Sequence, residues 1–232
     1  MKISIKAFKA IDYSDICEMF IFGHVKVLTD YGIQNVTTNN RKWIKMPNVY
    51  IVVAFNEDQT KLLGGVRIHI ADGKERLPLE NAIGKMDERI YEIIKSHQAI
   101  GTGEICGLWN SKEVSGRGIS LLLIRAGISI VNQIKLGSLF TICADYTMPM
   151  VKRVGFTVEK SIGKNGEFVY PNENYIARVL KKLNAVTLEL AEELDKDRIF
   201  NLRECPIQIF NEIGLKEDIA VDYNLIISNL VK

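Results

Sequence analysis

Two different periods of apolar residues mark the first part of the chain. Residues 2–8 are apolar at every second position, with Ile3 and Ile5 on one side, which predicts a β-strand. Asp12 or Ser14 then offers a helix N-cap, and the apolar residues beyond it recur at helical spacing. These positions are Ile16, Met19, Phe20, Val27 and Leu28. The chain is therefore predicted to begin with a strand followed by a helix.

A hairpin and a helical segment are predicted next. Residues 49–55 and 62–70 indicate two antiparallel strands, because turn-forming residues at positions 56–58 join them. Between residues 73 and 98 the apolar spacing becomes helical, which predicts a helical insertion. Its stripe consists of Leu79, Ala82, Ile83, Met86, Ile90, Ile93 and Ile94.

The middle of the chain alternates between strands and helices. A strand over residues 103–110 leads through a glycine-containing loop into a very apolar helix over residues 119–134, and a strand at 138–143 follows. Thr147 can cap a short helix that has Pro149 in its first turn. The last two strands of this part are predicted at 156–159 and 175–180. The pattern indicates an α/β (α+β) fold, in which helices flank a mixed, mostly antiparallel central sheet.

The end of the chain forms an extension to this fold. Residues 183–194 place apolar side chains on one helical face and predict an amphipathic helix. Residues 219–227 alternate strictly and predict a half-buried strand. We therefore divide the chain into a domain at 1–180, with an insertion at about 73–98, and an extension at 181–232. The extension needs an apolar partner, either its own domain or a second copy of the chain, and a homodimer is expected.

Composition excludes several classes of protein. The 232 residues carry 30 Lys and Arg against 28 Asp and Glu, with no block of one sign of the kind that binds nucleic acid. No apolar run approaches the roughly 20 residues that a membrane span requires, so a cytoplasmic protein is expected. The four cysteines lie far apart, a spacing that suits neither a metal site nor a disulfide framework.

The most informative segment is the loop between the strand at 103–110 and the apolar helix. Gly116 and Gly118 allow the backbone to turn tightly and approach a ligand, and the helix that follows offers unpaired N–H groups and a positive dipole end. These features suit a phosphate or pyrophosphate. A tight turn ahead of a buried helix is the structural alternative.

The segment and its flanking strands resemble the acyl-CoA-binding motif of the GNAT superfamily of acyltransferases. Gly116 and Gly118 match that motif, whereas Glu113 stands where the superfamily usually has Arg or Gln. Gly155 and Phe156 match the superfamily's closing segment, and Val151 occupies the position of its tyrosine. The resemblance covers residues 1–180 in element order.

This resemblance implies an N-acyltransferase that takes an acyl group from acetyl-CoA or acyl-CoA and transfers it to an amine, with no metal. The strands at 104–110 and 138–143 should splay apart around the pantetheine arm, and an N–H near Leu108 should polarise the thioester carbonyl. Glu104 is the candidate general base, and Tyr146 can replace the missing tyrosine as the acid. The expected donor-binding residues are Leu108, Trp109, Asn110, Ser115, Gly116, Arg117, Gly118 and Ile119.

Several of these residues also have a purely structural interpretation. Arg67 and His69 share a strand face and are candidates for binding an acceptor carboxylate, although a solvated strand face is the more common arrangement. Cys106 is more often a buried unreactive thiol than a nucleophile. Trp109 is more often a packing residue than a stacking platform, and Tyr146 is by default a half-buried aromatic residue.

A narrower resemblance is to acyl-homoserine-lactone synthases and N-acyl amino acid synthases. It rests on residues 64–67, residues 76–79 and Glu104, and it implies roles for Arg67 and Glu104 and a donor carried by an acyl-carrier protein. Gly107 replaces the second basic residue of that pattern. The substitutions at Glu113 and Val151 leave a third alternative, a non-catalytic module that binds acyl-CoA.

Overall fold

The computed structural model describes residues 1–33, 40–214 and 216–227. The last five residues of the predicted extension, 228–232, lie outside this part. The elements are β1 (Lys2–Lys9), α1 (Ser14–Asp30), β2 (Val49–Asn56), β3 (Leu62–Ile70), α2 (Pro78–Ile83), α3 (Arg89–His97), β4 (Thr102–Asn110), α4 (Ile119–Ser129), β5 (Ser138–Ala144), α5 (Met148–Arg153), β6 (Thr157–Val158), β7 (Glu167–Val169), β8 (Ile176–Lys182), α6 (Glu193–Glu204), β9 (Ile207–Glu212) and β10 (Ile219–Asn224).

The described strands form one sheet in the order β6-β8-β5-β4-β3-β2-β1-β10-β9, and β7 pairs with β8. The pairs β4–β5 and β1–β10 are parallel, whereas the other pairs are antiparallel. The predicted mixed, mostly antiparallel sheet is therefore confirmed. The predicted hairpin at 49–70 is confirmed as β2 and β3.

Helices cover both faces of this sheet. The nearly all-apolar helix α4 packs against β2, β3 and β4 on one face and is buried along most of its length. Helix α1 covers the other face, where Phe20 joins Trp43 and Trp109 in a second apolar cluster. Helices α2 and α3 close a third cluster over Phe140 of β5. Within the described ranges, no helix is long and apolar enough to cross a membrane.

Helix α1 differs in two details from the prediction. It begins at Ser14, and no side chain caps it among the described residues, so neither Asp12 nor Ser14 acts as the expected cap. Its fully buried residues are Cys17, Phe20, Ile21 and His24. The buried face is therefore rotated from the predicted stripe, because the helix packs Phe20 and His24, and not Met19, against the sheet.

The predicted helix at 183–194 is wrong. Residues 183–192 form turns and bends, and helix α6 begins only at Glu193. Leu188 has a φ of 59°, a left-handed conformation that interrupts an α-helix. Ala185 and Leu188 are buried, whereas the supposed helical stripe, including Leu190 and Leu194, is exposed. Instead of a regular helix, this segment follows an irregular backbone path that places the Ala185 and Leu188 side chains in the core.

The extension covers an edge of its own domain. Strand β10 lies parallel to β1 with Val221 opposite Ile3, and its alternate residues Ile219, Val221 and Tyr223 are buried as the two-residue period predicts. Strand β9, which the apolar pattern did not identify, becomes the new edge and exposes Ile209. The homodimer stays a prediction.

Buried ion pairs hold the extension in place. Asp195 of α6 has no solvent exposure (0%) and accepts hydrogen bonds from Arg125 Nε at 2.6 Å and Arg153 Nε at 3.0 Å. Glu212 of β9 accepts hydrogen bonds from Arg198 Nε at 2.6 Å and from the Tyr223 hydroxyl at 2.7 Å. The extension is therefore joined to α4 through Arg125 and to α5 through Arg153.

We expect Asp195→Asn to lower the free energy of unfolding by roughly 3–5 kcal/mol, because it removes the buried carboxylate that two arginines share and leaves Arg125 and Arg153 only their longer pairs with Glu212 and Glu192. The matched control is Glu192→Gln, which changes a carboxylate 3.3 Å from the same Arg153 but with a side chain 62% exposed. That change should cost at most about 1 kcal/mol. Urea unfolding measures both values, and equal losses in the two variants would contradict this role of Asp195.

Candidate active site

Strands β4 and β5 separate partway along their length. They pair at Thr102, Gly103 and Glu104, and the pairing ends where Glu104 lies opposite Phe140. On its other side β4 contains a bulge, because Val66 of β3 faces the two residues Gly107 and Leu108. Gly107 has a φ of 59°, which only glycine adopts without strain. A bulge bends its strand, and this one lies three residues beyond the last β4–β5 pair.

Two adjoining cavities lie in the resulting gap. The inner cavity, about 180 Å³, lies between residues 104–108 of β4 and residues 141–144 of β5. The outer cavity, about 310 Å³, extends to Ser115 and Ser120 at the start of α4. Leu108, His24 and Tyr146 line both cavities. Together they connect Glu104 with the glycine loop.

Glu104 lies in the wall of the inner cavity with no solvent exposure (0%). Its Oε2 accepts a hydrogen bond of 2.7 Å from the Leu79 N–H, whereas its Oε1 has no hydrogen-bond partner within the described parts of the chain. Burial raises the pKa of the carboxyl group to about 8, and the Leu79 hydrogen bond and the Arg67 cation offset this only in part. Glu104 can therefore exchange a proton near neutral pH.

Arg67 and His69 do not lie on a solvated strand face, because α1 and the residues before β2 cover them. Arg67 is buried and its guanidinium carbon lies 4.4 Å from the centre of the Trp43 ring. His69 lies directly opposite Glu104 in the sheet, and burial together with Arg67 holds its pKa well below the usual range. Neither side chain lines the inner cavity. Arg67 instead packs behind Gly107, so it supports the cavity wall.

The sequence interpretation did not identify His24 as a site residue. His24 of α1 is buried and lines both cavities. Burial lowers its pKa to about 3, with a further contribution from the Arg67 cation, so the imidazole is neutral. The sequence feature that could have indicated His24 is its spacing, because a residue four positions after Phe20 lies on the same face of α1, which packs on the sheet.

Cys106 does not have the properties of a nucleophile. Burial raises the pKa of its thiol to about 12, and the neighbouring Glu104 carboxyl acts in the same direction. Because the thiolate is the reactive form, this thiol is inert near neutral pH. The structural interpretation of Cys106 therefore agrees with its surroundings.

The glycine loop leads into α4 as the sequence pattern suggested. Gly116 and Gly118 have φ values of 72° and 88°, and Gly118 is the residue that precedes the first turn of α4. The Ser120 hydroxyl donates a 2.6 Å hydrogen bond to Asn110 Oδ1, which joins the end of β4 to the helix. The loop therefore presents the N-terminus of an 11-residue helix to the outer cavity.

Two charged side chains of this loop, Glu113 and Arg117, form ion pairs. Glu113, which stands in place of the usual Arg or Gln, forms an ion pair with Lys61, whose Nζ lies 2.5 Å from the Glu113 Oε2. Arg117 forms an ion pair with Glu217 of the extension. Neither side chain is therefore an unpaired charge directed at the loop.

The remaining predicted residues fall into two groups. Trp109 and Ile119 are buried, and Trp109 packs edge-to-face on Phe20 with ring centres 5.9 Å apart, so both contribute mainly to the core. Tyr146 is 76% exposed at the mouth of the two cavities. Val151 is buried in the wall of the inner cavity.

A larger cavity of about 680 Å³ lies beside α1, and Val27, Asp30, Trp109 and Lys112 line both it and the outer cavity. It includes neither Glu104 nor any residue of β5, so we place the candidate active site in the inner and outer cavities. In the described part of the chain, no cluster of His, Cys, Asp or Glu side chains is suited to hold a metal ion.

Known structures share this architecture. FeeM, an N-acyl amino acid synthase from uncultured soil microbes, superposes with a TM-score of 0.59 at 14% identity, over 77% of this chain and 95% of that chain. An acyl-CoA N-acyltransferase from Pseudomonas aeruginosa gives 0.54 at 11% identity, over 78% and 99%. The CoA-dependent acyl-homoserine lactone synthase BjaI, with SAM and isopentyl-CoA, gives 0.53 at 13% identity, over 95% and 94%.

This chain has the GNAT fold. These superpositions confirm the predicted fold. Because the sequence identities are low, the chemistry must be argued from the site itself. No family model matches the sequence, and no curated protein matches it. Within this fold, the cavity and the bulge follow the point where β4 and β5 part, and the glycine loop comes directly after β4.

We expect the stability of the protein to fall as pH rises from about 4.5 to about 8. The folded-state pKa of Glu104 is raised to about 8 from its ordinary value of 4.5, so the folded state binds the proton more tightly across that interval. Glu104→Gln should remove this part of the pH dependence, whereas Glu92→Gln, an exposed carboxylate of α3, should not. Urea unfolding at pH 5 and pH 8 measures the difference. An unchanged slope in Glu104→Gln would contradict the raised pKa.

Proposed function

We propose that this protein is an N-acyltransferase that moves an acyl group from acyl-CoA to an amine. The observation that carries the proposal is the divergence of β4 and β5 beyond Glu104, which opens a cavity between a buried carboxyl group and the glycine loop. In this arrangement the pantetheine arm lies between the strands, and its pyrophosphate lies at the start of α4. The acyl thioester then reaches the inner cavity.

Electrostatic stabilisation in this proposal comes from the bulge in β4. Gly107 and Leu108 have no paired position in the β3–β4 register, and β5 has already separated from β4 at this point. The Leu108 N–H is the group we assign to the thioester carbonyl oxygen, where it stabilises the oxyanion that forms during acyl transfer.

Proton transfer is assigned to Glu104 and Tyr146. Glu104 Oε1 accepts a proton from the attacking amine, directly or through water, while the amine nitrogen bonds to the thioester carbon. The carbon–sulfur bond then breaks, and the thiolate takes a proton. The Tyr146 hydroxyl at the cavity mouth is the proposed donor of that proton, since Val151 has no acidic group.

The structural relatives support the choice of donor. BjaI is described as CoA-dependent and holds isopentyl-CoA, and the Pseudomonas protein is named an acyl-CoA N-acyltransferase. The likeness to FeeM, an N-acyl amino acid synthase, together with the Arg67 cation near the Glu104 carboxyl, favours a second candidate. That candidate is a synthase of the same kind that receives its acyl group from an acyl-carrier protein.

The deciding experiment measures thiol release from acyl-CoA over a panel of amines and amino acids. Turnover with free acyl-CoA supports the proposal, and turnover only with a loaded acyl-carrier protein supports the second candidate. Acyl-CoA binding without turnover of either donor would show a non-catalytic module. Because a general base must be deprotonated, wild-type kcat/KM should rise with pH up to about 8.

In the same assay, Glu104→Gln should lower kcat by roughly 10²-fold or more and should remove the rise of kcat/KM with pH, with donor affinity nearly unchanged. The control is Glu92→Gln, which should retain both. If Glu104→Gln keeps the wild-type pH profile, another group is the base.

A separate prediction concerns Gly118. A side chain at this position would meet no atom within 4 Å, but the φ of 88° is unfavourable for a β-branched residue. Gly118→Val should therefore distort the loop and abolish CoA binding, whereas Gly118→Asn, which tolerates positive φ better, should retain part of it. Gly73→Val, at a similar φ of 76° and at a residue that lines neither cavity, controls for backbone strain. Calorimetry that finds wild-type affinity in Gly118→Val would contradict the assignment.

A further inference from the structure

Lys216 and Glu217, which lie between β9 and β10, contact the glycine loop. Lys216 Nζ donates a hydrogen bond of 3.3 Å to the backbone carbonyl of Ser115, and it lies 3.3 Å from the position that a Cβ on Gly116 would occupy. The Glu217 carboxylate pairs with Arg117 of the same loop and accepts a 3.3 Å hydrogen bond from the N-terminal amine of Met1. The C-terminal extension thus touches the loop that opens α4.

Lys216 differs from the other cations near this loop. Lys112 pairs with Asp30 at 3.1 Å, Lys61 pairs with Glu113 at 2.5 Å, and Arg117 pairs with Glu217. Across residues 1–33, 40–214 and 216–227, Lys216 forms no ion pair with a carboxylate. Its charge is held at the loop by a neutral carbonyl oxygen alone, so it stays available to an anion.

The cations of the loop itself, Lys112 and Arg117, are both engaged in ion pairs. The position where the GNAT motif usually places Arg or Gln is Glu113, a carboxylate that would repel a phosphate at close range. The pair with Lys61 neutralises that carboxylate but adds no net positive charge. The helix dipole of α4 and the loop N–H groups attract an anion, and a neighbouring ammonium group increases that attraction.

We infer that Lys216 is a donor-binding residue, which the C-terminal extension supplies to the pyrophosphate of the acyl-CoA. This inference rests on the proposed function. The extension then has a role in substrate binding as well as in covering the sheet edge, and Lys216 supplies the positive charge that the loop sequence lacks at Glu113. The Ser115 carbonyl positions the ammonium group, and the phosphate oxygens become its second partner.

The experiment compares the affinities of CoA, dephospho-CoA and pantetheine for the wild type, Lys216→Gln and Lys216→Glu by calorimetry. Dephospho-CoA keeps the pyrophosphate but lacks the 3′-phosphate, and pantetheine lacks both. Lys216→Gln should weaken CoA and dephospho-CoA by the same factor, roughly fivefold, as expected for one exposed charge contact, and Lys216→Glu should weaken both further. Pantetheine affinity should not change.

The matched control is Lys160→Gln, an exposed lysine beyond β6 at the opposite edge of the sheet, which should leave all three affinities unchanged. The loss in Lys216→Gln should shrink at high salt, because screening weakens contacts between exposed charges. Thermal unfolding confirms that each variant is folded.

Equal CoA affinity in the wild type and Lys216→Gln would overturn the inference and leave the proposed function intact. A loss confined to CoA would also overturn it, because the contact would then be to the 3′-phosphate. If the wild type binds none of the three compounds, the proposed function fails, and the inference fails with it.

Discussion

In β4, Gly107 and Leu108 together face the single residue Val66, and this bulge bends the strand just beyond its last pair with β5. A parallel pair normally continues as long as both strands remain straight. Here it ends at Glu104, so backbone groups that would have paired across the sheet face a cavity instead. The inner cavity, the exposure of the Leu108 backbone and the direction of the loop toward α4 all depend on this bend.

The cavity places an ionisable group where water is largely excluded. A buried carboxylate without compensation is costly, and the protein reduces that cost through the Leu79 N–H at the start of α2 and through the nearby Arg67 cation. The helical insertion therefore holds Glu104 in place as well as covering Phe140. Because the compensation is incomplete, the carboxyl group keeps a raised pKa, the property that a base near neutral pH requires.

The sequence predicted those elements whose apolar period reports burial directly. Strands β1 to β5 and β10 follow a two-residue period or a continuous apolar run, and the hydrogen-bonded sheet requires that arrangement. The segment 183–194 has helical spacing, yet only Ala185 and Leu188 enter the core, since a left-handed residue sets its path. Spacing alone does not reveal such a conformation. β7 and β9 are short or exposed and carry almost no periodic signal.

The site was predictable in part. The glycine loop and Glu104 were identifiable because glycine and a carboxylate in a strand are unusual enough to need an explanation. Arg67 and His69 alternate with apolar residues as a solvated face would, but α1 covers that face, which no local pattern reports. Gly107 was the missed signal, since a glycine within a strand often marks a bulge.

The C-terminal extension links the two helices that border the inner cavity. Ile124 of α4 and Val151 of α5 line this cavity, and the arginines at 125 and 153 on the same two helices both bind Asp195. One buried carboxylate of the extension therefore fixes the distance between two walls of the cavity. The backbone just after α5 is also packed closely against the extension. A Cβ on Gly155 would lie 2.7 Å from Lys182 Nζ and 2.9 Å from the Ala191 nitrogen. The width of the inner cavity is thus set from outside it, by Asp195, which does not line it.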